Sequence, residues 1–149
     1  MRGVPKKASA ARLQQVKAPR VDGHHAHCKA LWDWRTLQMN NIRELGALIH
    51  VPNEGKRTPQ AAARMKAEGM VPGVWDYVLP IARVFQGAIR SGLIIEIKYG
   101  KDKLSPEQQA WGDMMMGLGH MSIVAYDWED AKGAILDYLG AFGAERTAN

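Results

Sequence analysis

The sequence holds a single cysteine, Cys28, so an internal disulfide is excluded and the chain suits a reducing cytosol. No apolar stretch approaches the roughly 18 residues that a membrane span needs. The basic N-terminal segment lacks the contiguous apolar run of a secretory signal. Internal repeats and a glycine-rich phosphate loop are also absent from the sequence. These absences favour a cytoplasmic protein without a membrane anchor, and they exclude a disulfide-stabilised scaffold.

The length and the charge distribution indicate one domain with a basic extension. A chain of 149 residues with 46% hydrophobic and 23% charged residues is ordinary for a globular domain. Six basic residues precede Asp22, the first acidic residue, and they account for more than the whole net charge of +5. We interpret residues 1–21 as a flexible basic arm, 22–143 as one domain and 144–149 as a tail. Such an arm favours phosphate backbones, although a solvated terminus explains the charges equally well.

Hydrophobic periodicity and capping residues predict an α/β fold class. Helices are expected over about 23–39, 59–68, 106–118 and 127–142, and strands over about 47–51, 74–79, 92–98 and 121–126. Residues 83–91 are expected to form another strand or a hairpin arm. The helix that begins after Ser105 is well marked, because Ser105 can cap it, Pro106 suits its first position and Gln108 completes a capping box. The face of this helix that we expect to be buried comprises Trp111, Met114, Met115 and Leu118.

Charged residues inside apolar strands are the main functional signal. The run Gly92–Ile95 predicts a strand buried on both faces, and Glu96 and Lys98 interrupt its continuation. Because side chains alternate along a strand, these two charges project from the same side. Asp76 is a second carboxylate within an apolar and aromatic strand. For Glu-x-Lys alone, a salt bridge at the strand end is the ordinary explanation.

Taken together, the two carboxylates predict a metal site. We expect Asp76 and Glu96 on neighbouring strands joined by a hairpin, where their oxygens would suit Mg²⁺ or Mn²⁺. The carbonyl of Ile97 could add a ligand. Lys98 could hold a water beside the metal and offset negative charge in a phosphoryl transition state. This chemistry is phosphodiester hydrolysis, although Asp followed by Glu-x-Lys is a weak motif by itself.

A second candidate metal cluster opens the first predicted helix, at His24-His25-Ala26-His27-Cys28. His24 and Cys28 lie four residues apart and could share one metal ion. A second ligand pair at a recognisable spacing is missing from the sequence. The alternatives are therefore a zinc site and exposed helix histidines.

Several segments, in order, carry a resemblance to a known family. They are Ala30–Trp34, His50–Asn53 with Gly55–Arg57, Lys66–Gly69, Pro72–Asp76, Gly92–Lys98, and Leu104–Gln108 with Trp111. Over about residues 24–140 the sequence resembles the virus-type replication-repair nuclease (VRR-NUC) branch of the PD-(D/E)xK superfamily.

The resemblance implies a restriction-endonuclease-like core, with a mixed central sheet flanked by helices, and a metal-dependent DNA endonuclease. Asp76 and Glu96 would be metal ligands, Lys98 the catalytic lysine, and Gln108 a residue near the active site whose capping role also explains it. Stand-alone members resemble phage-encoded proteins, are often homodimers and act on branched DNA such as four-way junctions or flaps. We therefore expect Mg²⁺ or Mn²⁺, a DNA partner, a homodimer, and the cytoplasm of a bacterial or phage-infected cell.

The sequence departs from the family pattern at two positions. Trp75 precedes Asp76 where the family has proline, although a β-enriched aromatic residue keeps an extended backbone plausible there. His24 stands where the opening helix normally supplies a glutamate. Either His24 is a ligand, or nearby Asp22 substitutes, or that contact is missing. An imidazole ligand would favour Mn²⁺ over Mg²⁺.

Basic loop residues are candidate DNA contacts, namely Lys56, Arg57, Lys101 and Lys103. They also support an alternative function, a DNA-binding module of the same fold without catalysis. A third hypothesis is a zinc-stabilised interaction protein built on the cluster from His24 to Cys28.

Overall fold

The structure is a computed structural model that describes residues 23–52 and 56–141. The helices are α1 (His24–Gln38), α2 (Pro59–Ala67), α3 (Pro106–Gly117) and α4 (Trp128–Leu139), with a short 3₁₀ helix at Arg43–Ala47. The strands are β1 (Ile49–His50), β2 (Tyr77–Leu79), β3 (Arg83–Phe85), β4 (Ala88–Arg90), β5 (Leu93–Ile97) and β6 (Met121–Ala125). The predicted basic arm, Asp22 and the predicted C-terminal tail lie outside the described residues.

The main sheet is mixed, as the sequence predicts. Its strand order is β1-β2-β5-β6, with antiparallel pairs at β1–β2 and β2–β5 and a parallel pair at β5–β6. Tyr77 lies opposite Ile95 in the antiparallel register, so residues just before β2 are adjacent to the end of β5. Strands β3 and β4 form a separate two-stranded hairpin between β2 and β5.

Strand β5 is the centre of the sheet, and all five of its residues are buried. Leu93, Ile95 and Ile97 join a core that includes Leu31 of α1 and Ile135 of α4. The alternate side chains point the other way, where Glu96 meets α3 through a hydrogen bond from Gln108. The sheet therefore lies between α1 and α4 on one face and α3 on the other.

Three of the helices begin at a capping residue, and α3 begins after Ser105 as predicted. Thr58, Ser105 and Asp127 each accept a hydrogen bond from a backbone N–H of the first turn of α2, α3 and α4. Helix α4 ends at Leu139, earlier than predicted, because Gly140 adopts the left-handed conformation (φ 64°) that ends a helix. The last predicted helical residue, 142, lies outside the described residues.

The predicted buried face of α3 is right for Trp111 and Met115, which are partly buried, and wrong for Met114 and Leu118. Met114 and Leu118 are 55% and 63% exposed, and the buried residue of the helix is Gly112. Helix α3 is an outer layer that approaches the Trp75 indole through Gly112, and this contact decides which side of the helix faces inward.

Two predicted strands are shorter in the structure. Residues 43–47 form the 3₁₀ helix, so β1 covers only Ile49–His50 before Pro52, which has no N–H for a ladder. Strand β2 begins at Tyr77. Directly before it, the side chain of Asp76 accepts the N–H of Ile97, which a backbone carbonyl would accept if the strand pairing continued. Among the described residues, no helix has the length and apolar character needed to cross a membrane.

Candidate active site

Asp76 lies directly before β2 and is 4% exposed. Its Oδ2 accepts the backbone N–H of Ile97 at 2.9 Å and lies 3.1 Å from Nε2 of His24. The backbone N–H of Asp76 donates to Oε2 of Glu96 at 3.2 Å. The structure thus brings the two predicted carboxylates together at the junction of β2 and β5.

Glu96 is 1% exposed, and its carboxylate makes several hydrogen bonds. Its Oε1 accepts from Nε2 of Gln108 at 2.6 Å and lies 3.0 Å from Nζ of Lys98. Burial raises the pKa of the Glu96 carboxyl, the negative charge of Asp76 raises this pKa further, and the Lys98 ammonium opposes both effects. The predicted placement of Glu96 and Lys98 on one side of the strand is found here.

Gln108 connects the acidic and basic groups. Its Nε2 donates to Glu96, while its Oε1 accepts from Nζ of Lys98 at 2.7 Å and from the backbone N–H of Ser105 at 3.0 Å. The Ser105 hydroxyl accepts the backbone N–H of Gln108 in return, which completes the predicted capping box. Gln108 therefore both starts α3 and holds two of the site's charged groups.

Trp75 supports the site in a way that the sequence analysis did not predict. The residue is 3% exposed, and its indole N–H donates to the backbone carbonyl of Gln108 at 2.8 Å. Its ring lies against Gly112, where an added Cβ would come within 2.5 Å of Cζ2. A glycine inside a predicted helix often marks such a close contact, so Gly112 is the feature of the sequence that could have indicated this one.

His24 reaches the site from α1. The hydrogen bond to Asp76, followed by the contact with Cys28, raises the pKa of His24 to about 11, against an opposing effect of burial. Sγ of Cys28 lies 3.7 Å from His24 Nε2, and the Tyr77 hydroxyl donates to the Cys28 carbonyl at 3.1 Å. The structure places His24 beside Asp76, and its role as a metal ligand in place of the glutamate stays a prediction.

The hypothesis of exposed helix histidines is wrong for His27. This residue is 6% exposed, and its Nδ1 accepts the backbone N–H of Trp128 at 3.3 Å. His27 therefore joins α1 to the start of α4 and belongs to the packing between those helices.

Two cavities meet at Asp76. The larger, about 370 Å³, is lined by Met70, Gly73, Asp76, Ser105 and Gln108 among others. The smaller, about 260 Å³, is lined by His24, His25, Cys28, His50, Val51, Pro52 and Asp76. Both cavities therefore reach Asp76.

The donor atoms fit a hard divalent cation. Asp76 and Glu96 are carboxylates at adjacent strand ends, both buried, and a cavity reaches Asp76. Oxygen ligands of this kind suit Mg²⁺ or Mn²⁺. Ile97 contributes its N–H to Asp76, and a ligand role for its carbonyl stays a prediction.

The predicted DNA-contact residues lie on two loops. Lys101 and Lys103 are exposed on the loop between β5 and α3. Lys56 is exposed before α2, whereas Arg57 is partly buried and donates to the Pro52 carbonyl at 3.1 Å. Arg57 also contacts Sδ of Met70 at 3.3 Å, which places its guanidinium beside a residue that lines the larger cavity.

Sequence comparisons find no matching family model and no matching curated protein. Among solved structures, the chain is similar to a VRR_NUC domain protein, with a TM-score of 0.52 and 22% sequence identity. The match covers 72% of this chain and 88% of that chain. The predicted likeness is thereby confirmed for the architecture, and this chain has the fold of a VRR-NUC domain protein.

Proposed function

We propose that this protein is a metal-dependent DNA endonuclease that hydrolyses phosphodiester bonds, with a preference for branched DNA. The observation that carries the proposal is the convergence of Asp76, Glu96 and Lys98, which Gln108 joins in one hydrogen-bonded network. The fold of a VRR-NUC domain protein supports it.

Each group has a proposed role. Asp76 and Glu96 hold a Mg²⁺ or Mn²⁺ ion, with the Ile97 carbonyl and His24 as further ligands. When bound, the ion would polarise a phosphate oxygen and lower the pKa of a water. The Lys98 ammonium lies beside Glu96, where it would offset the negative charge that develops on the phosphoryl oxygens. Gln108 hydrogen-bonds to both Lys98 and Glu96 and holds their side chains in place.

The basic loops supply proposed backbone contacts. Arg57 at the larger cavity, together with exposed Lys56, Lys101 and Lys103, would bind phosphates without reading sequence. The family resemblance adds a preference for four-way junctions or flaps, a homodimer with two sites for paired cuts, and a place in the cytoplasm of a bacterial or phage-infected cell.

A cleavage panel tests the proposal. Four-way junction, flap, single-stranded and duplex DNA are incubated with Mg²⁺, Mn²⁺ or a chelator, using the wild type, Asp76→Asn and Lys98→Met. We expect cleavage only with metal, fastest on a branched substrate, and a loss of at least about 100-fold in both variants. Asp113→Asn is the matched control, because this exposed carboxylate of α3 contacts only Gln109 among the described residues. Full activity of Asp76→Asn would overturn the assignment.

A DNA-binding module without catalysis is the second candidate. The observation that favours it is His24 in the position of the glutamate. A protonated His24 beside Asp76 places a positive charge where a metal ion would otherwise bind. This candidate predicts binding that weakens steeply with salt, needs no metal and leaves every substrate of the panel intact.

A further inference from the structure

A second set of metal-binding side chains overlaps the candidate active site. His24, Cys28 and Asp76 each place one ligand atom so that the three lie within 4.8 Å of one another. Cys28 and His24 lie one turn apart on α1, and Asp76 comes from the start of β2. Cys28 is part of the buried core, and it has no role in the proposed phosphodiester chemistry.

Two of the three separations are close to those between ligands of one zinc ion. Zinc binds nitrogen and oxygen at about 2.0–2.1 Å and sulfur at about 2.3 Å, so tetrahedral ligand atoms lie roughly 3.5 Å apart. Here His24 Nε2 lies 3.1 Å from Asp76 Oδ2 and 3.7 Å from Cys28 Sγ.

We propose that His24, Cys28 and Asp76 form a zinc-binding site, which Cys28 distinguishes from the Mg²⁺ or Mn²⁺ site of Asp76 and Glu96. A thiolate and an imidazole are softer ligands that select zinc, whereas a pair of carboxylates selects Mg²⁺ or Mn²⁺. The two sites share Asp76 and His24, so one ion at a time can use these ligands.

The surroundings suit ion entry and a stable ligand geometry. The cavity of about 260 Å³ opens onto all three ligands, and His25 and His50 also line it. A water can fill the fourth position of a tetrahedral site. Cys28 itself is 7% exposed, and the hydrogen bond from Tyr77 to its carbonyl holds this turn of α1 against β2.

Cobalt spectroscopy tests the site directly. Co²⁺ replaces zinc in such sites, and a thiolate ligand gives it an intense near-ultraviolet charge-transfer band. Because Cys28 is the only cysteine of the chain, any such band reports on this residue. We expect the full-length, metal-free protein to develop the band with one equivalent of Co²⁺, and added Zn²⁺ to abolish it. Absence of the band would overturn the proposal.

Variants test the ligand assignment without DNA or activity. Cys28→Ser should abolish the band, and His24→Ala should weaken zinc binding by at least the 10–100-fold that loss of a supporting residue costs. Glu96→Gln should keep the band, since Glu96 does not belong to the set. His120→Gln is the histidine control, because His120 contacts the Met115 carbonyl at the other end of α3. If His24→Ala binds zinc as tightly as the wild type, the site is wrong.

The proposal does not depend on nuclease activity. A cobalt band in a protein that cleaves no substrate would leave the zinc site standing and overturn only the proposed function. Cleavage without any cobalt band would overturn the zinc site and leave the proposed function standing.

Discussion

The indole N–H of Trp75 donates a hydrogen bond of 2.8 Å to the backbone carbonyl of Gln108. Trp75 directly precedes Asp76, and the side chain of Gln108 contacts Glu96 and Lys98. This bond therefore connects the loop that carries one carboxylate with the helix that holds the other. Neither partner of the bond belongs to the Asp and Glu-x-Lys motif.

The contact between Trp75 and Gly112 gives the first prediction. In Gly112→Ala the new Cβ would lie 2.5 Å from Cζ2 of Trp75, so the indole must move. We expect a loss of about 1–3 kcal/mol in the free energy of unfolding from overpacking, and slower cleavage because Asp76 moves with Trp75. Urea denaturation and cleavage rates measure the two effects.

Gly117→Ala is the matched control in the same helix, because an added Cβ there meets nothing within 4 Å. It should leave cleavage unchanged and stabilise the protein by roughly 0.5–1 kcal/mol. Equal losses in the two variants would contradict the role of the indole.

The double role of Gln108 gives the second prediction. Gln108→Ala removes the contacts with Glu96, Lys98 and the backbone of Ser105, so cleavage should fall by about 10–100-fold, the usual cost of losing such a supporting residue. Ser105→Ala removes the helix cap, which costs about 1 kcal/mol in unfolding free energy, and should slow cleavage far less. Kinetics and denaturation of both variants separate the roles. A larger kinetic loss in Ser105→Ala than in Gln108→Ala would show that capping alone matters.

The buried carboxyl of Glu96 gives the third prediction. Because its pKa in the folded protein is raised above the ordinary 4.5, the neutral form favours folding. This contribution is present below pH 4.5 and is lost as the pH rises through the raised pKa. In chelator, Glu96→Gln should therefore have a higher Tm than the wild type near neutral pH, and this difference should shrink toward pH 4.

Metal provides the control for that experiment. Mg²⁺ or Mn²⁺ should raise the Tm of the wild type more than that of Glu96→Gln, since ions that bind the folded state stabilise it in proportion to their affinity. A lower Tm for Glu96→Gln in chelator would mean that the contacts with Lys98 and Gln108 outweigh the cost of burying the charge.

The shared ligand Asp76 gives the fourth prediction, which combines the proposed function and the proposed zinc site. Zn²⁺ added to a Mg²⁺- or Mn²⁺-supported reaction should inhibit cleavage, because zinc on Asp76 removes a ligand from the catalytic ion. Cys28→Ser should need at least about tenfold more zinc for the same inhibition. Equal zinc sensitivity in both proteins would show that inhibition does not pass through Cys28.

The central elements are predictable from the sequence because their determinants are local. The aliphatic run before Glu96 defines β5, and the residues at Ser105 and Gln108 define the start of α3. Alternation along a strand puts Glu96 and Lys98 on one side. The connection through the β3–β4 hairpin makes β2 and β5 antiparallel neighbours, which brings Asp76 to Glu96.

The sequence by itself thus determined the α/β class, the paired strands and the acidic pair with its lysine. Only the tertiary structure decided that Trp75 binds the backbone of α3, that Gly112 rather than Met114 faces inward, and that Cys28 joins His24 at Asp76. The physical reason is that periodicity sets a side chain's direction relative to its own helix or strand. Which element meets that side chain depends on how α1 and α3 pack on opposite faces of the sheet, and that packing sums contacts between residues far apart in the chain.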